Sequence, residues 1–294
     1  MFEGVHVALV TPFREGRPDL EALTRIIEHV IAGGVAGLVP CGTTGESATM
    51  SHEEHREVIR HTVRQAAGRV KVMAGTGSNA TAESIQLTRY AREVGADAAL
   101  LITPYYNKPT QEGLYQHYRA VADAVDLPLF LYNVPGRTAL DMSAETVIRL
   151  AQVPRIVGIK EATANMERAS LVHQGTGGRM VLLSGDDATF LPFLAIGGHG
   201  VISVTANVVP AAVCAVYNAW RAGDTAAALV AHEALLELNG LMFCETNPIP
   251  VKAAMAMAGL CGPELRLPLT PLTSVNAQRL AAAMQRMGVA LPGR

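Results

Sequence analysis

Lys160 is the side chain with the clearest chemical consequence. It closes an apolar run, Ile156-Val157-Gly158-Ile159, that reads as a buried strand. Of the 24 lysines and arginines only four are lysines. An amine at a buried strand end is costly unless it is used, because a low dielectric disfavours the ammonium. The same desolvation frees the lone pair that a Schiff-base nucleophile needs. The structural alternative is a side chain that snorkels out of the strand or pairs with Glu161. The other lysines are placed worse for chemistry. Lys71 opens a strand, Lys252 falls in a helical region, and Asn107-Lys108-Pro109 reads as an exposed loop.

An imine must be formed and then reshaped, so protons must be delivered and removed. Tyr132 ends the strand before Lys160, and neighbouring strands lie only ~5 Å apart. A phenol there can shuttle protons, extended by hydroxyls such as Thr44 and Tyr106. Gly42-Thr43-Thr44-Gly45 offers amides and hydroxyls to a carboxylate, and Arg137 can grip a second carboxylate with both nitrogens. Taken singly, each has a plainer reading: core or interface aromatics, a tight turn, a surface ion pair. Their convergence on one face weighs against those readings. Gly185-Asp186-Asp187 and Ser203 sit at two further strand ends. No His, Cys or Asp set has metal-ligand spacing, so no metal and no separate cofactor is expected.

The elements that must hold these residues alternate between short β-branched runs and helical patterns. The runs are Val5–Thr11, Gly37–Pro40, Val70–Thr76, Ala98–Thr103, Leu129–Asn133, Ile156–Lys160, Val181–Ser184 and Gly200–Ser203. A βα repeat of roughly 25–30 residues predicts an α/β fold, a (β/α)8 TIM barrel, whose active site lies at the C-terminal strand ends. Ser51-His52-Glu53-Glu54 reads as a capping box, and Asp19, Thr110 and Ser143 as N-caps. After Gly223-Asp224 the strand pattern stops. Thr225–Leu238, Pro250–Ala258 and Ser274–Met287 read as helices. The expected division is a catalytic barrel over 1–224 and a small C-terminal helical domain over 225–294. A doubly wound sheet is the rival, but Thr11-Pro12-Phe13 stands where its glycine-rich turn would be.

The composition is consistent with this. Hydrophobic residues make up 49% of the 294 and charged residues 17%, enough for a large core and for surface covered by other subunits. A net charge of −2 without a basic cluster argues against nucleic acid or an anionic membrane as partner. The N-terminus lacks signal-peptide features, and the weakly charged stretch from Ala188 to Trp220 is broken by prolines and glycines. Cys41, Cys214, Cys244 and Cys261 read as free buried thiols of a cytoplasmic protein.

The strings GTTGES at 42–47, YYNKP at 105–109, YNVPGRT at 132–138, GIKEAT at 158–163 and SGDD at 184–187, in that order, resemble the dihydrodipicolinate synthase family of pyruvate-dependent class I aldolases. The likeness spans nearly the whole chain and includes Asn247-Pro248-Ile249-Pro250, a shaped loop with no chemistry of its own on this reading. The resemblance implies that Lys160 forms an imine with pyruvate, whose enamine adds to L-aspartate-4-semialdehyde before the product cyclises. It implies a relay of Tyr132, Thr44 and Tyr106, with Tyr106 serving a neighbouring subunit. It places pyruvate's carboxylate on Thr43 and Thr44, the semialdehyde's on Arg137, and Gly185 and Ile202 along the pyruvate pocket. It also implies a homotetramer, a dimer of dimers, in the lysine and diaminopimelate pathway. Feedback inhibition by L-lysine would act at Ser47, Ala48, His52, His55, Asn79, Glu83 and Tyr105. His52 and His55 share a helix face, and Glu83 can neutralise an ε-ammonium, although a polar dimer face explains the same pattern.

Three other functions compete with this one. A sister aldolase would act on a sugar acid or another aldehyde. A phosphate-binding barrel isomerase would use Gly197-Gly198-His199-Gly200, with Asp186 and Asp187 set against an anion. A non-catalytic amino-acid sensor is disfavoured because the amine and its relay are retained.

Overall fold

The computed structural model describes residues 2–292. Eight parallel strands close into a barrel: β1 (Gly4–Ala8), β4 (Gly37–Val39), β5 (Lys71–Gly75), β6 (Ala98–Ile102), β7 (Leu129–Asn133), β8 (Ile156–Glu161), β9 (Val181–Ser184) and β10 (Gly200–Ser203). β10 returns to pair with β1, so no edge is left open. The first strand expected over Val5–Thr11 stops at Ala8. Between it and the first helix lies a small hairpin that periodicity did not signal, β2 (Phe13–Arg14) against β3 (Arg17–Pro18), with a turn at Glu15-Gly16 where both residues have positive φ.

Helices succeed the strands where the caps foretold. Asp19, Thr110 and Ser143 accept hydrogen bonds from the amides of Ala22, Gly113 and Thr146, and the Ser51–Glu54 capping box is reciprocal. The strands are apolar because both faces are covered. β7 is buried throughout, with side chains alternating between barrel interior and helix layer.

One irregularity sets the register that matters. β7 and β8 pair Leu129 with Ile156, then slip by one residue, so that Phe130 faces Gly158 and Tyr132 faces Lys160. The extra residue, Val157, is absorbed as a bulge. Without that slip Tyr132 would face Ile159, and the amine would sit one residue out of line.

Beyond Asp224, which caps the next helix, come helices Thr225–Leu241, Ile249–Met257 and Ser274–Arg286. They lie within about three residues of the expected bounds. Their buried residues continue the barrel's hydrophobic core in a single cluster from Phe2 to Met284. Cys41 and Cys214 are buried as expected, whereas Cys244 and Cys261 are only partly so; all four are free. No helix among the described residues is long and apolar enough to cross a membrane.

Candidate active site

The C-terminal strand ends surround a cleft of about 220 Å³. Its lining includes Thr43, Thr44, Tyr132, Arg137, Lys160 and Gly185 from the expected set, and also Val134, Ala162, Ala164, Asp186, Val204, Phe243 and Asn247. Lys160 is 6% exposed, and its Nζ stands 4.3 Å from the centre of the Tyr132 ring. The register described above sets them side by side. Gly185 is glycine for a steric reason. A Cβ there would lie 2.5 Å from Ala162 Cβ and 3.1 Å from Lys160 Cε, so a side chain would crowd the amine. Ile202 is buried within β10, and Val204 lines the cleft from that strand's end.

Gly42-Thr43-Thr44-Gly45 forms a tight turn. Gly45 N and Glu46 N close it onto the carbonyls of Gly42 and Thr43. Thr44 is buried. Its hydroxyl accepts a hydrogen bond from Asn247 Nδ2 at 3.0 Å, a contact that sequence reasoning missed. Among the described residues no hydrogen bond joins Thr44 to Tyr132. Tyr106 lies outside the cleft, 91% exposed, with a positive φ.

Arg137 is not a surface ion pair. Its Nη2 donates to the main-chain oxygen of Asn247 at 3.3 Å. The loop that carries it is pinned from behind: Asn133 Nδ2 donates to Asp141 Oδ1 at 2.8 Å, and Met142 N donates to Asn133 Oδ1. Glu161, beside Lys160 in sequence, points away from the amine and accepts from Arg168 Nε at 2.8 Å. The snorkelling or Glu161-paired lysine is therefore not what the fold contains.

The acidic turn divides its labour. Asp186 lines the cleft, whereas Asp187 is buried and accepts from the amides of Val204 and Thr205. Burial raises the Asp187 pKa, against the pull of those donors and the Ser203 hydroxyl. Gly197-Gly198-His199-Gly200 cannot cradle a phosphate. It leads into the N-terminal end of β10, and the amides of Gly197, Gly198 and His199 are used by Leu194, Phe193 and Leu182.

Lys252, in a helix remote from the strand ends in sequence, is the other buried lysine. It and Glu46 are both 0% exposed and pair at 2.6 Å. Lys252 Nζ also donates to Glu264 O, while Arg266 N donates to the second Glu46 oxygen. Burial lowers the Lys252 pKa, with Glu46 opposing it. This pair ties the Gly42–Ser47 turn to the C-terminal helices. It is out of the cleft and already engaged, so it supplies no free amine.

Of the seven residues of the expected lysine site, His52, His55 and Tyr105 lie near one acid, Glu83. Glu83 is 3.2 Å from His52 Nε2 and hydrogen-bonds Ser78 Oγ. Its charge adds to burial in raising the Tyr105 pKa. His55 is buried, its Nε2 2.8 Å from Gly75 O, and burial lowers its pKa. Asn79 O accepts from Asn107 Nδ2, and Ser47 and Ala48 begin a short 3-10 turn.

The chain matches the profile of the dihydrodipicolinate synthetase family over residues 1–287. A 4-hydroxy-tetrahydrodipicolinate synthase of Magnetococcus marinus is 61% identical over 289 residues, 98% of this chain and 99% of that one. The crystal structure of the chloride-inhibited dihydrodipicolinate synthase from Acinetobacter baumannii, complexed with pyruvate, superposes with a TM-score of 0.96 at 47% identity, covering 99% of this chain and 100% of that one. The enzyme from Cyanidioschyzon merolae with lysine bound superposes with a TM-score of 0.95 at 39% identity, over 98% and 99% of the two chains.

Proposed function

The chain belongs to the dihydrodipicolinate synthetase family, and from that premise we infer that it catalyses the 4-hydroxy-tetrahydrodipicolinate synthase reaction, condensing pyruvate with L-aspartate-4-semialdehyde. It is a lyase of lysine and diaminopimelate biosynthesis. The observation that carries the chemistry is the buried Lys160 amine beside the Tyr132 ring, in a cleft that offers hydroxyls on one side and a guanidinium on the other.

On this reading the Lys160 amine attacks the pyruvate ketone, water leaves, and the imine draws electrons from the methyl carbon. Loss of a methyl proton gives the enamine, which adds to the aldehyde carbon. The alkoxide takes a proton, and the acceptor's own amine displaces Lys160 as the ring closes. Tyr132 shuttles these protons, with Thr44 and a partner subunit's tyrosine completing the relay. Thr43 and Thr44 hold pyruvate's carboxylate, Gly185 leaves room for the imine, Ile202 backs the pocket, and Arg137 receives the semialdehyde's carboxylate. Substrate supplies the electrophile, and no further cofactor is assigned.

The exposed Tyr106 supports a homotetramer in which a dimer completes each site. The Glu83 carboxylate beside His52 supports inhibition by L-lysine, and the relative solved with lysine bound adds weight. Four unpaired cysteines agree with a cytoplasmic setting. The test is a coupled assay with pyruvate and aspartate semialdehyde, with borohydride trapping of pyruvate and peptide mass spectrometry. Turnover together with an adduct on Lys160 is expected. Turnover with a sugar acid alone, or an adduct elsewhere, would overturn the assignment.

A further inference from the structure

Arg137 rides on a loop that leaves β7 at Asn133 and rejoins the core at Met142. Side chains close that loop at its neck. Asn133 is fully buried; its Oδ1 accepts from Met142 N, and its Nδ2 donates to Asp141 Oδ1 at 2.8 Å. In the β7–β8 register Asn133 lies opposite Glu161, one step beyond the Tyr132–Lys160 pair. Side chains alternate along a strand, so Tyr132 and Lys160 turn into the cleft while Asn133 and Glu161 turn the other way.

Arg168, from the helix Met166–Thr176, spans that outer side. Its Nε donates to Glu161 Oε2 at 2.8 Å, its Nη2 donates to the main-chain oxygen of Met142, and its Nη1 stands 3.9 Å from Asp141 Oδ1. The other Glu161 oxygen accepts from Thr163 N at 3.0 Å. The Arg168 and Glu161 side chains are only 10% and 3% exposed. A planar guanidinium presents its donors in a rigid fork, so one side chain can hold two segments at a fixed spacing. Glu161 follows Lys160 in the chain, so one end of this bridge is the strand of the nucleophile. The other end is the neck of the Arg137 loop. The exposed Arg137 side chain makes one hydrogen bond among the described residues, to Asn247 O at 3.3 Å, so its aim depends on how its loop is held.

We propose that Arg168 is a positioning residue for the acceptor half of the reaction: it clamps the neck of the Arg137 loop onto the Lys160 strand and so sets where Arg137 meets the semialdehyde carboxylate. This rests on the acceptor role proposed above for Arg137 and adds the residue that places it.

The test is a double-mutant cycle on the full-length enzyme: Arg168→Met, Arg137→Ala and the two combined, assayed for kcat and semialdehyde KM, with borohydride trapping of pyruvate alongside. Arg168→Met should raise the semialdehyde KM by about tenfold, because the carboxylate is then met out of place, and should leave trapping intact. In the Arg137→Ala background it should raise that KM no further, because Arg168 acts through Arg137. Increases that multiply, a parental KM in Arg168→Met, or loss of trapping in that variant would each overturn the proposal. Arg168→Met leaves the Glu161 carboxylate buried without its cation. Should it fail to fold, Glu161→Gln combined with Arg168→Met removes both charges and severs the same bridge. That pair should show the same rise in KM, and a parental KM would refute the role. A parental semialdehyde KM in Arg137→Ala overturns the acceptor reading itself, whereas a raised KM there beside an unaffected Arg168→Met removes only Arg168.

Discussion

Two lysines are buried in this chain, and their partners divide their fates. Lys252 faces the Glu46 carboxylate at 2.6 Å, which opposes the fall in its pKa that burial causes. Lys160 faces the Tyr132 ring and an open cleft, so its amine is free to react. Lys160→Arg should abolish both turnover and borohydride trapping, since a guanidinium supplies no neutral amine at ordinary pH. Retained trapping would place the nucleophile elsewhere. Arg137→Ala should spare trapping but raise the semialdehyde KM and lower kcat, a loss of about 1.5–3 kcal/mol for a charge-assisted contact made by an exposed side chain at the mouth of the cleft. Failure to trap pyruvate would show that Arg137 serves the first substrate. Lys160, Tyr132 and Arg137 were legible in the sequence because each stands at or just past the end of an apolar run. Asn247 was not, because its partner is fixed only by how the C-terminal loop folds back over the barrel. The sequence placed Lys252 correctly in a helix away from the chemistry, but its burial was not legible, because a helix–barrel junction leaves no local signature.

At the scale of elements, the eight β-branched runs were readable and the bulge between β7 and β8 was not. Periodicity gives each strand's faces but not the residue opposite in its neighbour. Gly158 shows what that register demands, since a Cβ there would fall 2.1 Å from the Phe130 ring. The Gly42–Ser47 turn depends on a second junction. Glu46 adopts a left-handed conformation and is held by Lys252 and the Arg266 amide, while Arg266 grips both oxygens of Glu54. Lys252→Met would leave the Glu46 carboxylate buried without its cation and should cost about 3–5 kcal/mol in denaturant unfolding. Combining it with Glu46→Gln should recover part of that loss, because no uncompensated charge remains. A cost below about 1 kcal/mol, the range of exposed pairs, would show that water reaches the pair.

Across the whole molecule, several polar groups are folded in their neutral form, and this makes stability depend on pH. His6 is fully buried, with Nε2 against Phe2 O, and desolvation pushes its pKa down to about 4. His117, between Thr81 and the Tyr118 ring, is likewise pushed down to about 4. In the unfolded chain both return to about 6.5. Between these values the unfolded state binds more protons, so stability must fall as pH drops from about 6.5 toward 4 and level off below. Glu54 acts in the same direction, because Arg266 holds its carboxyl below the usual range and that contribution is lost in acid. For His6 alone the loss between pH 7 and pH 4.5 should be about 2.5 kcal/mol. His6→Gln removes the titration whatever it does to packing. Chemical denaturation of that variant at the two pH values should therefore show a pH-dependent loss smaller by about this amount than in the parent chain. An unchanged difference would mean that His6 is protonated in the folded barrel, and that the Phe2 carbonyl stabilises an imidazolium there.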